Sequence, residues 1–133
     1  RRQRQMCIRD RSIITYGNTT HFCLHAAERL EKEGGWKVEV IDIRSLIPLD
    51  KEAIFESVKK TSKALVVHED KVFSGFGAEL AAMIGEEMFR YLDGPVQRVG
   101  STFTPVGFNP ILEKEILPDE AKIYEAARKL LEY

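Results

Sequence analysis

The sequence predicts an α/β protein: a three-layer α/β/α domain around a mainly parallel four-stranded sheet in the spatial order 2-1-3-4. Three observations carry this expectation. From Ser12 onward, short β-rich runs alternate with helical patterns, the order that gives parallel strands joined by crossover helices. Ala64-Leu-Val-Val67 is continuously apolar, as suits a central strand covered on both faces. The second and fourth β-rich runs carry charges and belong at the edges, and right-handed crossovers limit the topologies that remain.

Each element has its own warrant. Ser12-Ile-Ile-Thr-Tyr16 is a short β-rich run ending at Gly17. Asn18 and Thr19 can cap the first helix, whose apolar stripe is Cys23, Ala26, Ala27 and Leu30 before Gly34-Gly35 stops it. Trp36 to Ile43 is the second strand, with Val38 and Val40 on one face and Lys37 and Glu39 on the other. Asp50 caps a second helix that reaches about Lys60, and Leu49 and Ile54 stand at the two positions of a hydrophobic staple. After the third strand, a glycine-bearing loop spans Asp70 to Gly77. The third helix, about Ala78 to Leu92, is apolar on more than one side, so it is deeply buried or touches another subunit. Val96 to Val99 is a short fourth strand, followed by a long loop with Pro105, Pro110 and Pro118. Asp119 caps the last helix, with the stripe Ile123, Ala127, Leu130 and Leu131.

The 133 residues suit one domain, and 44% hydrophobic with 31% charged residues is an ordinary globular balance. No apolar run approaches a membrane span. Cys7 and Cys23 do not make a disulfide framework, which points to a reducing cytoplasm or organelle matrix. The net charge of −1 hides an asymmetry. Residues 1–11 carry five arginines and one aspartate, leaving the rest mildly acidic. Such a body argues against nucleic-acid binding and suits a basic protein partner. The stretch 1–11, RRQRQMCIRDR, has no strand or helix periodicity. It reads as a basic arm, a transit-peptide remnant or, preferably, a non-native or disordered lead-in resembling translated adapter sequence. The domain is therefore expected over residues 12–133, as a fragment of a longer protein.

Ligands of such sheets bind beyond the carboxyl ends of the strands, which here means the crevice between Gly17 and His68. Its candidates are Asn18, Thr19, His68 and Glu69. Asn18 and Thr19 open a helix whose amides could hold an anion, although capping is the favoured role. His68 beside Glu69 and Asp70 could act as a base or a metal ligand. Neighbours on a strand point to opposite faces, however, so hydrogen bonding to nearby loops is the favoured role. His21 and His25 are four apart on a helix, but no third metal ligand is apparent. Gly75-Phe76-Gly77 precedes a helix, and Leu80 stands where a dinucleotide fingerprint needs glycine, so close helix packing is expected there instead. Cys23 reads as an inert core thiol. No complete catalytic set is visible, and neither a catalytic, a cofactor-binding nor a metal-binding residue is assigned.

Two stretches resemble a known family. Val40-Ile-Asp-Ile-Arg-Ser-Leu-Ile-Pro-Leu-Asp50 is similar to the strand-to-helix signature of the transketolase C-terminal domain. His68-Glu-Asp followed by Gly75-Phe-Gly-Ala-Glu79 resembles the version in the β subunit of 2-oxoacid dehydrogenase E1 components. Leu92-Asp-Gly-Pro95, Arg98-Val99-Gly100, Pro105, Leu112-Glu113 and Pro118 follow in that subunit's order, so the resemblance spans Ser12 to Tyr133. The ending Tyr124 to Tyr133 is most similar to the branched-chain type.

The resemblance implies a thiamine-diphosphate enzyme that decarboxylates a 2-oxoacid and passes the acyl group to the lipoyl arm of E2. It places thiamine diphosphate and magnesium in upstream domains, so this domain would bind neither and would not catalyse alone. It implies three partners: the E1 α subunit, a second E1 β subunit and the peripheral subunit-binding domain of E2. It also implies an additional antiparallel strand before Ser12, beside the second strand, which residues 1–11 do not resemble. From position and charge, the carboxylates of Glu113, Glu115, Asp119, Glu132 and the terminal Tyr133 are docking candidates for a basic E2 module. Gly107, Asn109, Thr19 and Thr20 depart from the family's usual residues. The rivals are the C-terminal domain of transketolase or deoxyxylulose-phosphate synthase and, from another class, a free-standing flavodoxin-like ligand-binding module.

Overall fold

The structure, a computed structural model, describes residues 10–133. Its elements run β1 (Arg11–Thr15), α1 (Thr19–Gly34), β2 (Val38–Asp42), α2 (Lys51–Thr61), β3 (Ala64–Lys71), α3 (Phe76–Met88), β4 (Gln97–Ser101), α4 (Pro110–Ile116) and α5 (Glu120–Lys129). Short 3-10 turns follow α3 at Phe89–Tyr91 and α5 at Leu130–Glu132. The sheet order is β2-β1-β3-β4 and every neighbouring pair is parallel. This is the predicted topology.

Alternation along the central strands divides the core in two. Ile13 of β1 and Leu65 and Val67 of β3 face α1 and α5, where Cys23, Ala26, Leu30, Ile123, Ala127 and Leu130 close the layer. Ile14, Ala64 and Val66 face the opposite way, against Ile54 and Val58 of α2 and Leu80, Ile84 and Met88 of α3. Each fully buried Leu or Ile contributes roughly 1.5–3 kcal/mol, so these two layers carry most of the fold. The caps at Asp50 and Asp119 form as expected, accepting from Ala53 N at 3.1 Å and Lys122 N at 2.9 Å. Leu49 and Ile54 pack into one cluster, as a staple requires.

The structure differs from the sequence reading at several points. Arg11, grouped with the lead-in, is fully buried in β1, and one of its guanidinium nitrogens donates to the Ala127 carbonyl. The remaining lead-in residues, 1–9, and the additional strand expected from the resemblance lie outside the described residues. Residues 110–116, expected as loop, form α4. Asn109 caps it by accepting from Ile111 N at 2.9 Å, and Pro110 occupies the first turn, where its missing N–H costs nothing. No residue of α4 is fully buried, so it had no apolar stripe to betray it. Asn18 makes no capping hydrogen bond with its side chain. Thr19 instead donates to the Tyr16 carbonyl at 2.9 Å and shares a 2.8 Å hydrogen bond with Thr15, burying its own hydroxyl.

Candidate functional site: an acidic cleft at the carboxyl edge of the sheet

β1 turns into α1 through Gly17, whose φ of +69° only glycine adopts readily, and this turn leaves Asn18 exposed at the sheet's carboxyl edge. β3 reaches the same edge and shifts register against β4 between Val67 and Lys71. The irregularity turns Glu69 outward while Ser101 Oγ donates to its carbonyl. The corner between α4 and α5 faces these two residues. Together they enclose a cleft of about 390 Å³ whose polar wall is Asn18, Glu69, Glu113, Asp119 and Lys114, with Phe22 and Leu117 among its apolar lining.

The corner is held by Lys122. Its ammonium donates to the carbonyls of Lys114 and Glu115 at 2.9 Å and of Leu117 at 2.7 Å, satisfying the end of α4 from the first turn of α5. Three carboxylates against the Lys114 ammonium leave the cleft anionic. A cationic or hydrogen-bond-donating group is what it can accept.

The structure thus brings together two crevice candidates, Asn18 and Glu69, and two docking candidates, Glu113 and Asp119. Thr19 is buried and does not line the cleft. Glu115 is exposed on α4 but outside the lining. Glu132 and Tyr133 lie at the far end of α5, about 15 Å of helix away. There Tyr133 packs on Gly94, where an added Cβ would sit 3.0 Å from it. The five docking candidates therefore occupy two ends of the domain.

His68 does not line the cleft either. Its ring is fully buried and stacks on Tyr16, centroids 6.1 Å apart and planes 16° from parallel. Neither ring nitrogen meets strict hydrogen-bond geometry, and of the expected bonds to the neighbouring loop only a loose one to the Asp70 backbone acts on the ring. Burial holds its pKa below the ordinary histidine value, against the opposing pull of Asp70. Burial also pushes the Cys23 thiol up to about 12, as an inert core cysteine requires. His25 Nδ1 lies 3.9 Å from Glu120 Oε2, and among the described residues no three His, Cys, Asp or Glu converge where they could hold a metal ion.

A second concavity follows the outer face of α3. Ala78, Ala81, Ala82 and Gly85 form its floor, Phe89 and Leu92 are among its walls, and its volume is about 1130 Å³. Phe89 is 77% exposed. The sequence reading pointed to this helix for its excess of apolar residues but not to Phe89 itself.

The family profile described as "Transketolase, C-terminal domain" matches residues 5–123. The chain belongs to the transketolase C-terminal domain family. This is the family its motifs resemble. The chain is 42% identical over 125 residues to the 2-oxoisovalerate dehydrogenase subunit beta of Bacillus subtilis (strain 168), covering 93% of this chain and 38% of that protein. It is 42% identical over 123 residues to the mitochondrial pyruvate dehydrogenase E1 component subunit beta of Saccharomyces cerevisiae, covering 92% and 34%. A solved structure titled "Split gene transketolase, inactive beta4 tetramer" superposes with a TM-score of 0.77 at 31% identity, over 93% of this chain and 39% of that one. This transketolase C-terminal domain thus spans less than two-fifths of the length of each of these relatives.

Proposed function

We propose that the chain is the C-terminal assembly and E2-docking domain of a 2-oxoacid dehydrogenase E1 β subunit. The parent would decarboxylate a 2-oxoacid oxidatively with thiamine diphosphate and magnesium and transfer the acyl group to lipoyl-E2, in a bacterial cytoplasm or a mitochondrial matrix. Both β-subunit relatives above support the parent's class. The cleft does not fit a diphosphate, because three carboxylates against one lysine repel an anion, so we assign the cofactor to the part of the parent outside this chain. The domain would then be non-catalytic by itself.

The observation that carries the docking role is the cleft at the α4–α5 corner. Three carboxylates on a rigid scaffold, with apolar walls between them, suit a basic module that also brings apolar surface. The groove on α3 supports the assembly role, toward the E1 α subunit or a second β subunit. The test is calorimetric titration of the chain with an E2 peripheral subunit-binding domain at low ionic strength. Binding that weakens as salt is added, and that Glu69→Lys with Glu113→Lys abolishes, supports docking at the cleft. No association at low salt sinks it. The 31% identity to the split-gene transketolase favours a second reading, a transketolase parent, in which the E2 domain would not bind.

A further inference from the structure

We propose that His68 is an acid-sensitive latch at the β3–α3 junction: proton uptake by its imidazole opens the segment beyond Val72, as far as Glu79, while the rest of the domain stays folded. This goes beyond the assembly and docking roles and does not rest on them.

The geometry is a closed cage. The ring is fully buried beneath the first turn of α3. A Cβ on Gly77 would lie 1.9 Å from its Nε2, and Cβ atoms on Gly100 and Gly75 would lie 3.0 and 3.2 Å from its Cε1. Three glycines therefore leave room for the ring that a side chain would take, on α3, in the loop before it and on β4. Tyr16 stacks against the ring from the end of β1, and Phe76 meets Tyr16 edge-on at 6.0 Å. Neither ring nitrogen meets strict hydrogen-bond geometry, the Asp70 backbone offering only a loose bond. A neutral imidazole tolerates this arrangement at a cost. An imidazolium, with two N–H groups and a charge to solvate, does not.

The surrounding charges do not relieve that conflict. From its own strand His68 has Asp70, whose charge and backbone both favour the proton, and the exposed Glu69. From β4 it has Arg98, which opposes the proton. From β1 it has the Tyr16 phenol, itself held protonated by burial and by Asp70. The first turn of α3 carries Glu79, exposed. Burial outweighs Asp70, so the folded ring binds a proton more weakly than a free histidine. The closed state is therefore favoured above the ordinary histidine pKa and loses ground as pH falls below it.

The cage wall that can yield is the loop between β3 and α3. Ser74 sits there at φ +62°, a left-handed conformation that strains a residue other than glycine. Gly75 caps α3 without a side-chain hydrogen bond. The sheet side of the cage is anchored on either flank of the ring, by Val67 paired with Thr15 of β1 and Val99 of β4, and by Val72, whose N–H and C=O bond to Ser101 and Arg98 at 3.0 and 2.7 Å, so the part that yields lies beyond Val72. Opening the loop exposes the ring to water and releases the start of α3, leaving β1, α1 and α5 in place.

The test is amide hydrogen exchange on the whole chain across pH 7 to 5, expressed as protection factors, with the His68 imidazole followed by NMR in the same samples. In the wild-type chain, protection beyond Val72, as far as Glu79, should fall by up to about tenfold per pH unit below the ordinary histidine value, about 6.5, with no change in α5. In His68→Asn, which cannot take up the proton, protection over that segment should stay flat. Two results overturn the latch. One is equal acid loss of protection in both chains, or loss throughout the domain at once. The other, which needs no variant, is an imidazole that titrates in the ordinary range while protection of that segment holds.

Discussion

Helix α3 contains two glycines for which the same substitution should have opposite effects. At Gly77 an added methyl group would lie 1.9 Å from His68 Nε2 and 2.1 Å from Cδ2, where ordinary contact begins at 3.4 Å, so the ring would have to retreat by about 1.5 Å. It has little room to do so, because the ring is fully buried and stacked on Tyr16. Overpacking of this kind costs about 1–3 kcal/mol, and this site belongs at the upper end. Replacing a helical glycine by alanine returns about 1 kcal/mol of propensity, so Gly77→Ala should destabilise the domain by about 2 kcal/mol. Gly85, two turns on, has nothing within 4 Å of its would-be Cβ. Gly85→Ala should therefore keep the whole propensity gain and stabilise by about 1 kcal/mol. Urea unfolding of the two variants, with unchanged m-values, measures both. The double variant Gly77→Ala with His68→Ala should recover most of the Gly77→Ala loss relative to His68→Ala alone, because the atoms in conflict are gone. If Gly77→Ala stabilises as Gly85→Ala does, the cage is not closed and the reasoning about His68 fails with it.

Arg11→Leu should stabilise the domain by about 1–4 kcal/mol, seen as a higher urea midpoint. The guanidinium is fully buried, has one carbonyl acceptor, and leaves Nε and Nη2 without partners, which is why burial lowers its pKa to about 10. Lys122→Met should cost about 1.5–3 kcal/mol and should raise hydrogen exchange in α4 before any other element, because three carbonyls lose one charged donor. An unchanged exchange rate in α4 would mean the corner is held by something else. Cys23 should resist alkylation at pH 8 in the folded chain and react fully in denaturant, as read by peptide mass mapping.

The topology was legible because two signals of different origin agreed. The apolar run Ala64 to Val67 marked the centre of the sheet, and the charges of the second and fourth strands marked its edges; the observed order follows from both. Caps were legible where an aspartate stood before an apolar pattern, at Asp50 and Asp119. They were misleading at Asn18, whose side chain caps nothing: the amides of Thr20 and His21 bond to the carbonyls of Gly17 and Asn18 instead. Helix α4 was missed because its signals are polar, Asn109 and Pro110, and no buried stripe repeats behind them. The burial of Arg11 was hidden by its neighbours: five arginines in eleven residues read as a lead-in outside the fold, and nothing local says that the last of them enters the sheet. The cleft was half-legible. The carboxyl edge of the sheet could be predicted from strand order, so Asn18 and Glu69 were candidates. That Glu113 and Asp119 join them depends on the α4–α5 corner, a tertiary fact fixed by Lys122.

The two surfaces of the domain are separated by its own architecture. The cleft draws on α1, α4 and the start of α5, and α1 and α5 pack on the Ile13, Leu65 and Val67 face of the sheet. The groove draws on α3, which packs on the Ile14 and Val66 face. Four parallel strands lie between them, and the contacts that shape each surface are local to it: Lys122 under the cleft, and the small residues Ala81 and Gly85 along the groove. A partner seated in one therefore meets no residue that lines the other. His68 sits at the seam, since its strand is central, its cage wall is the start of α3, and its neighbour Glu69 belongs to the cleft. This one histidine therefore touches elements that build both surfaces.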